Sequence, residues 1–290
     1  MPDAQQSGHN KRFHTWEQAV QWLREQPEQQ ELVLAAYYDD PLPAAADRYW
    51  RSEEWQAIRR LLPSTPGRAL DVGAGRGIAS YALAKEGFAV TALEPDVSAL
   101  VGAQAIRGLA LASGLPIEVI QDFSERLPFE DAQFDVVFAR AVLHHTSDLA
   151  AACREFLRVL KPGGRLLAVR EHVISRPEDL PAFLDLHPLH KIYGGENAFL
   201  LEQYEVAIRA AGFRLHSVLT PFESAINFSP YTEMRLRAEL AVRITRRFPV
   251  AKGLVASLLG VQLLWAVARR VLGRIDHRPG RLYSFIAQRP

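Results

Sequence analysis

Residues 68–80, Arg-Ala-Leu-Asp-Val-Gly-Ala-Gly-Arg-Gly-Ile-Ala-Ser, constrain this chain more than any other stretch. Ala69, Leu70 and Val72 form an apolar run too short for a helix and followed by glycines, which reads as a buried strand. Gly73, Gly75 and Gly77 permit a turn whose backbone takes positive φ and approaches a ligand closely. A helical pattern opens after it with Ile78, Tyr81, Ala82 and Ala84 and stops at Gly87. Strand, glycine turn and helix make the opening unit of a nucleotide-binding α/β domain. The spacing argues against a dinucleotide, because the G-x-G-x-x-G fingerprint needs glycine where Ile78 stands. Asp71, at the strand end, suits an ammonium group better than a pyrophosphate.

Further strands follow at regular distances. Residues 89–94 (Ala-Val-Thr-Ala-Leu-Glu) and 117–123 (Ile-Glu-Val-Ile-Gln-Asp-Phe) each run to an acid, Glu94 and Asp122. Residues 134–140 (Phe-Asp-Val-Val-Phe-Ala-Arg) are a fourth strand, and 158–169 hold a helix end, a Lys-Pro-Gly-Gly turn and a fifth strand. In this order the pieces resemble the class I, Rossmann-like S-adenosylmethionine-dependent methyltransferases, over about residues 50–220 with a last strand near 281–288. The resemblance implies a seven-stranded, mostly parallel sheet flanked by helices, and S-adenosyl-L-methionine as cofactor. It also implies roles. Asp71 and the backbone of Gly73, Ala74 and Gly75 face the methionine moiety, with the backbone of Arg140 on the same side. Glu94, followed by Pro95, accepts the ribose hydroxyls; Asp122 accepts the adenine amino group, with the Phe123 amide beside the ring. Alternating strand and helix independently demand a parallel sheet with right-handed crossovers, whose ligands sit at the carboxyl ends of the strands.

The chain has 290 residues and a net charge of +1, so one large α/β domain is expected and no whole-protein field recruits nucleic acid. A single cysteine, Cys153, excludes an internal disulfide framework. No apolar leader core is visible among residues 1–12, which are polar, so a cytoplasmic protein is expected. The organisation divides into an N-terminal helical segment (1–62), a methyltransferase core (63–220), a helical cap (221–280) and a last core strand (281–290).

Thr15 and Gln18 can form a capping box for a helix ending before Pro27, with Trp16, Ala19, Val20 and Leu23 on one face. Residues 28–38 and 44–62 read as further helices. Tyr37, Tyr38 and Trp50 are candidates to cover the cofactor, with core packing as the alternative. Residues 200–211 read as a helix and 213–220 as a sixth strand. Two insertions interrupt the pattern, one after His172 to about Phe199 and one over 221–280, and both leave from strand carboxyl ends, hence over the active-site face. Residues 253–268 carry no charge, fall short of the ~20 residues that span a bilayer, and are apolar on all sides of a helix. Arg243, Arg246, Arg247 and Lys252 precede them; Arg269, Arg270, Arg274 and Arg278 follow. Such a run needs a cover, either the cap itself, a second subunit or a membrane surface.

Methyl transfer from a sulfonium is an in-line displacement in which positioning carries much of the work. A hydroxyl acceptor also benefits from a base, and His144, His145 and His172, after the fourth and at the end of the fifth strand, are the candidates. His187 and His190, with Glu171 or Glu196, have the residue types of a metal set, but a lone H-x-x-H is weak and no metal is expected. The expected activity is direct methylation of a small-molecule acceptor, with hydrophobic and lipid- or glycan-linked molecules in view, and peripheral membrane contact through 243–278 at the inner face of a membrane. The alternative is a non-catalytic S-adenosylmethionine-binding regulator, which has no need of Asp71, Glu94 and Asp122 together. Base-methylating enzymes of nucleic acids are disfavoured, since Ala139-Arg140-Ala141-Val142 stands where their Asn/Asp-Pro-Pro-Tyr/Phe motif would fall.

Overall fold

A computed structural model describes residues 13–247 and 252–290. The expected polar N-terminal residues 1–12 lie outside the described part. Among the described residues eight strands form one sheet: β1 (Arg68–Val72), β2 (Ala89–Leu93), β3 (Ile117–Ile120), β4 (Phe134–Arg140), β5 (Leu160–Ile174), β6 (Phe199–Leu200), β7 (Arg214–Leu219) and β8 (Arg281–Gln288). Seven lie in the order β3-β2-β1-β4-β5-β8-β7, and the two-residue β6 pairs with the end of β5. All pairings are parallel except those of β8, which runs antiparallel to β5 and β7. This is the Rossmann-like methyltransferase sheet that the sequence predicted.

The central strands are buried on both faces, and that explains their unbroken apolar runs. Leu70, Val137 and Ala139 pack with Phe156 and Phe285 on one face. Ala69, Val136 and Phe138 pack with Trp55, Tyr49 and Leu83 on the other. Parallel register aligns Val72 with Leu93 and with Ala139, so the residues just beyond these three strands emerge along one edge. A change of strand order falls there: β2 and β3 lie to one side of β1, β4 and β5 to the other. Crevices of that kind are where open α/β sheets bind ligands.

Several local expectations change. The helix expected over 44–62 is two helices, Leu42–Arg51 and Glu53–Arg59, because Ser52 leaves helical geometry and its hydroxyl caps the Trp55 N–H at 3.1 Å. The helix expected over 28–38 is a 3₁₀ turn, Pro27–Gln29, and a short helix, Gln30–Ala35, after which Tyr37 takes φ 58°. The uncharged run at 253–268 is divided between helices Lys252–Gly260 and Gln262–Ile275, which meet at extended Val261. Trp50 does not cover the glycine turn: its Nε1 donates to Glu86 at 2.8 Å, beyond the far end of the helix Ile78–Lys85. The capping box at Thr15 and Gln18 forms as expected.

Candidate active site

The glycine turn after β1 has positive φ at Gly73, Gly75 and Gly77. A Cβ on Gly73 would stand 2.8 Å from Val142, whereas one on Gly75 would meet nothing within 4 Å. Gly75 therefore faces open space and Gly73 packs against the turn after β4. Glu94, just past β2, is 7 % exposed. It accepts the Gly75 N–H at 2.7 Å and the Asp96 N–H at 2.9 Å. Burial pushes its carboxyl up to about 7, against the pull of those two amides. A carboxylate has about four acceptor positions, so two remain for a neighbouring diol. Asp71 is fully enclosed; burial lifts it to about 7 while the Ser80 hydroxyl, donating at 2.5 Å, opposes the rise. Asp122 lies beyond β3, half-buried, and accepts the N–H of its neighbour Phe123, whose ring is exposed. Glycine turn, Glu94 and Asp122 thus line one edge.

Arg76, inside the turn, was not singled out from sequence. It is buried, and its guanidinium donates to Tyr37 O at 2.9 Å, Asp39 O at 3.0 Å and Asp40 Oδ1 at 2.6 Å. The N-terminal segment is thereby strapped across the glycine turn. An arginine among the glycines, with two aspartates upstream, was the available signal. Trp16 packs edge-on against Tyr38 at 5.9 Å and tilted against Tyr193 at 5.5 Å, joining the first helix, Trp16–Arg24, to the insertion after β5.

The other half of the edge belongs to β4 and β5. A bulge in β5 between Ala168 and Glu171 has Arg170 at φ 62°. Bulges re-aim side chains. Here the next residue, Glu171, reaches beneath the turn that follows β4 and accepts the N–H groups of Val142, Leu143 and His144 at 3.1, 3.2 and 3.1 Å. Its Oε2 also lies 2.7 Å from His144 Nδ1. Burial raises the Glu171 carboxyl, and the three amides oppose that rise. His145 Nδ1 is 3.1 Å from Gly195 O, and His172 Nδ1 is 2.9 Å from Gly280 O. A carbonyl only accepts, so both rings carry a proton on Nδ1 and a lone pair on Nε2. The three candidate bases come together: ring centroids are 4.2 Å apart for His144 and His145, and 4.7 Å for His144 and His172. Burial, with neighbouring histidines adding to it, holds His144 well below its ordinary value and brings His172 down to about 3. His187 joins them, 5.2 Å from His172, and burial lowers it likewise to about 3. Glu196 closes the group, pushed up to about 7 by burial alone.

Arg140 does not project into this cleft as a free cation. Its Nε donates to Glu54 Oε1 at 2.7 Å, and Arg170 lies 3.6 Å from the same carboxylate. Burial alone would raise Glu54, but Arg140 and Arg170 outweigh it and hold the carboxyl below its ordinary value. This buried trio pins the helix Glu53–Arg59 to the ends of β4 and β5. Glu54 carried no local signal in the sequence, since its partner Arg140 stands 86 positions away.

A doubly wound sheet with a glycine turn at its switch point, an acid beyond β2 and a charged strap across both defines a nucleotide-binding α/β protein. Residues 70–168 match the methyltransferase domain family. The O-methyltransferase resE of Aspergillus sclerotiorum is 31 % identical over 195 residues, covering 63 % of this chain and 69 % of that protein. A ubiquinone biosynthesis O-methyltransferase of Escherichia coli is 33 % identical over 135 residues, covering 42 % of this chain and 55 % of that enzyme. The chain thus spans about half the length of that second relative. Among solved structures, the [4+2]-cyclase SpnF superposes with a TM-score of 0.54 at 25 % identity, over 85 % of this chain and 82 % of that one. A geranyl diphosphate C-methyltransferase from Streptomyces coelicolor shares the fold with a TM-score of 0.55 at 13 % identity, over 82 % of this chain and 75 % of that one. The chain belongs to the class I S-adenosylmethionine-dependent methyltransferase family, and its methyl donor is S-adenosylmethionine.

Proposed function

We propose that this enzyme methylates an oxygen of a small, hydrophobic acceptor, lipid-linked molecules included. The observation that carries the reading is the cluster of His144, His145 and His172 at the same sheet edge as the glycine turn, two of them with Nε2 left free by a carbonyl partner. The oxygen preference is supported by the O-methyltransferases among the relatives. In this reading Gly73, Ala74 and Gly75 hold the methionine part of the cofactor together with the Arg140 backbone, Glu94 and Pro95 the ribose, and Asp122 and Phe123 the adenine. Asp71 acts from behind the turn, through its charge and its bond to Ser80. When bound, the sulfonium supplies an activated methyl group. The chain's part is to orient the acceptor and to take or relay its proton at an imidazole Nε2. His145, with 43 % of its side chain exposed, is the member of the cluster open to an acceptor, while burial keeps His144 and His172 neutral and weakly basic.

The hydrophobic class is supported by the helical cap. Met234, Leu258, Val261, Leu263, Leu264 and Val267 are 41–78 % exposed there, so one side of the apolar run stays open while Leu259 and Trp265 pack inward. Exposed Arg243, Arg246, Arg270, Arg274 and Arg278 accompany it, which suits an anionic membrane surface as the peripheral contact. Among the described residues no helix is long and apolar enough to cross a membrane. The test of the function is to compare metabolites and lipids from cells with and without the protein by mass spectrometry. A species heavier by one methylene that depends on the protein, with its methyl on oxygen, is the expected result. A methyl found on carbon or nitrogen removes the oxygen reading.

A further inference from the structure

The histidine cluster has a property that methyl transfer alone does not require: it is a set of acceptors facing one another. His144 Nδ1 lies against the Glu171 carboxylate, which already receives three backbone N–H groups and so acts as an acceptor. That leaves His144 Nε2 as a lone pair, like Nε2 of His145 and His172. His144 Nε2 and His145 Nε2 lie 3.7 and 3.8 Å from Glu196 Oε2, and His187 Nδ1 lies 3.8 Å from Glu196 Oε1. These separations are too long for hydrogen bonds. They are close to the ~3.3–3.5 Å between neighbouring ligand atoms around a tetrahedral ion with bonds of ~2.0–2.1 Å. Glu196 is nine-tenths buried, and its Oε2 has no hydrogen-bond partner among the described residues. His187 Nδ1 accepts the His190 N–H at 3.4 Å, a long bond that caps the helix Pro188–Ile192. Ligand atoms of His144, His145 and Glu196 all lie within 4.8 Å of one another, and so do those of His172, His187 and Glu196. Buried lone pairs that converge without a donor are costly unless a cation sits among them.

We propose that His144, His145 and Glu196 bind one divalent transition-metal ion, with His172 and His187, grouped around the same Glu196 carboxylate, available to complete its shell. Imidazoles with a single carboxylate suit zinc, cobalt, iron or manganese, and not calcium or magnesium, which prefer all-oxygen sets. The surroundings match a metal centre as well. Glu171 and the carbonyls of Gly195 and Gly280 each hold the Nδ1 side of a ligand ring, the arrangement that orients metal-bound histidines. The sequence made no metal expected because it showed one H-x-x-H; the ligands come from three segments that only the fold assembles. The ion's use rests on the oxygen-acceptor reading above and takes the place of its imidazole base, since a coordinated lone pair cannot also accept the proton. A hydroxyl bound to it ionises near neutrality, its O–H bond breaking and the proton passing to water. The oxygen then forms the new O–C bond as the C–S bond breaks, and sulfur leaves with the electron pair as a thioether.

The test uses the full chain, stripped with a chelator and titrated with cobalt(II), followed by visible absorbance and by metal analysis, with magnesium as control. One equivalent of cobalt, with the intense bands of a four- or five-coordinate site, is expected, and zinc should displace it. His145→Ala, at a half-exposed position, and the isosteric Glu196→Gln should each weaken cobalt binding by at least ~10-fold, and Glu171→Gln, a positioning change, by ~10–100-fold. S-adenosylmethionine affinity, titrated on the same samples, should be unchanged in all three. A stripped wild-type chain that takes up neither cobalt nor zinc overturns the proposal. So does uptake that is undiminished in the His145→Ala/Glu196→Gln double variant, or two equivalents bound with equal strength. Loss of S-adenosylmethionine binding with cobalt uptake intact would instead count against the cofactor assignments and leave the ion standing.

Discussion

The carboxyl edge of the sheet has two halves built in different ways. On the β1–β2 side, the glycine turn and Glu94 lie within 19 positions of one another and are joined by a single amide–carboxylate bond. On the β4–β5 side, the turn after β4 is held by Glu171, 27 to 29 positions on, the histidines are held by carbonyls of Gly195 and Gly280, and Arg140 by Glu54. The first half is local in the sequence. The second depends on distant segments meeting. Sites grafted on one fold can in this way be varied separately.

The sharpest way to break the second half is Glu54→Ala. It leaves Arg140 and Arg170 buried without their carboxylate and should cost about 3–5 kcal/mol, read as a lowered midpoint in urea unfolding. A loss below about 1 kcal/mol would mean that the trio does not anchor the N-terminal helices. Next come the histidines. With a hydroxyl acceptor, alanine at one or more of His144, His145 and His172 should slow turnover by ~10²–10⁴-fold, with S-adenosylmethionine binding intact. If all three variants turn over normally, this half of the edge only shapes the acceptor site.

The first half predicts smaller and more specific effects. Glu94→Ala should weaken S-adenosylmethionine binding by at least ~10-fold in calorimetric titration, because charge-assisted bonds contribute about 1.5–3 kcal/mol each. Unchanged affinity would place the ribose elsewhere. The same residue carries a pH signature. Its carboxyl rises from 4.5 to about 7 on folding, so in that window the folded chain keeps a proton that the unfolded chain releases. Stability of the ligand-free protein therefore falls as pH rises from about 4.5 to 7 on account of this group. Glu94→Gln lacks that loss, and relative to wild type it should gain on the order of 2 kcal/mol between pH 5 and pH 8. An equal difference at both pH values would show that Glu94 titrates normally.

Smallest, and outside both halves, is the cap. If it meets an anionic membrane surface, the protein should float with phosphatidylserine vesicles at low salt. Arg270→Ala and Arg274→Ala should each then lower partitioning by about fivefold, or ~1 kcal/mol. Wild-type protein left at the bottom of the gradient would assign the exposed Leu263, Leu264 and Val267 to some other partner.

The sequence by itself determined the seven-stranded, mostly parallel sheet through the family it resembles, the glycine turn, and the acids that follow β2 and β3. These features are legible because each is local: short apolar runs, glycines at fixed spacing and an acid one or two residues past a strand are set by backbone geometry within a few positions. Helix ends were legible where a cap sits beside them, as at Thr15, and not where a serine cap interrupts an otherwise helical pattern, as at Ser52. Only the tertiary structure decided that Trp50 turns away to Glu86, that Arg76 straps the N-terminal segment over the turn, and that Glu54 sits between two arginines. It also decided that four histidines and Glu196 converge. His144 and His145 come from the turn after β4, His172 from the end of β5, and His187 and Glu196 from the insertion that follows. No periodicity links such positions. Their meeting depends on the bulge at Arg170 and on the crossing of separate segments over the sheet edge, which pairing and packing settle only when the whole chain has folded.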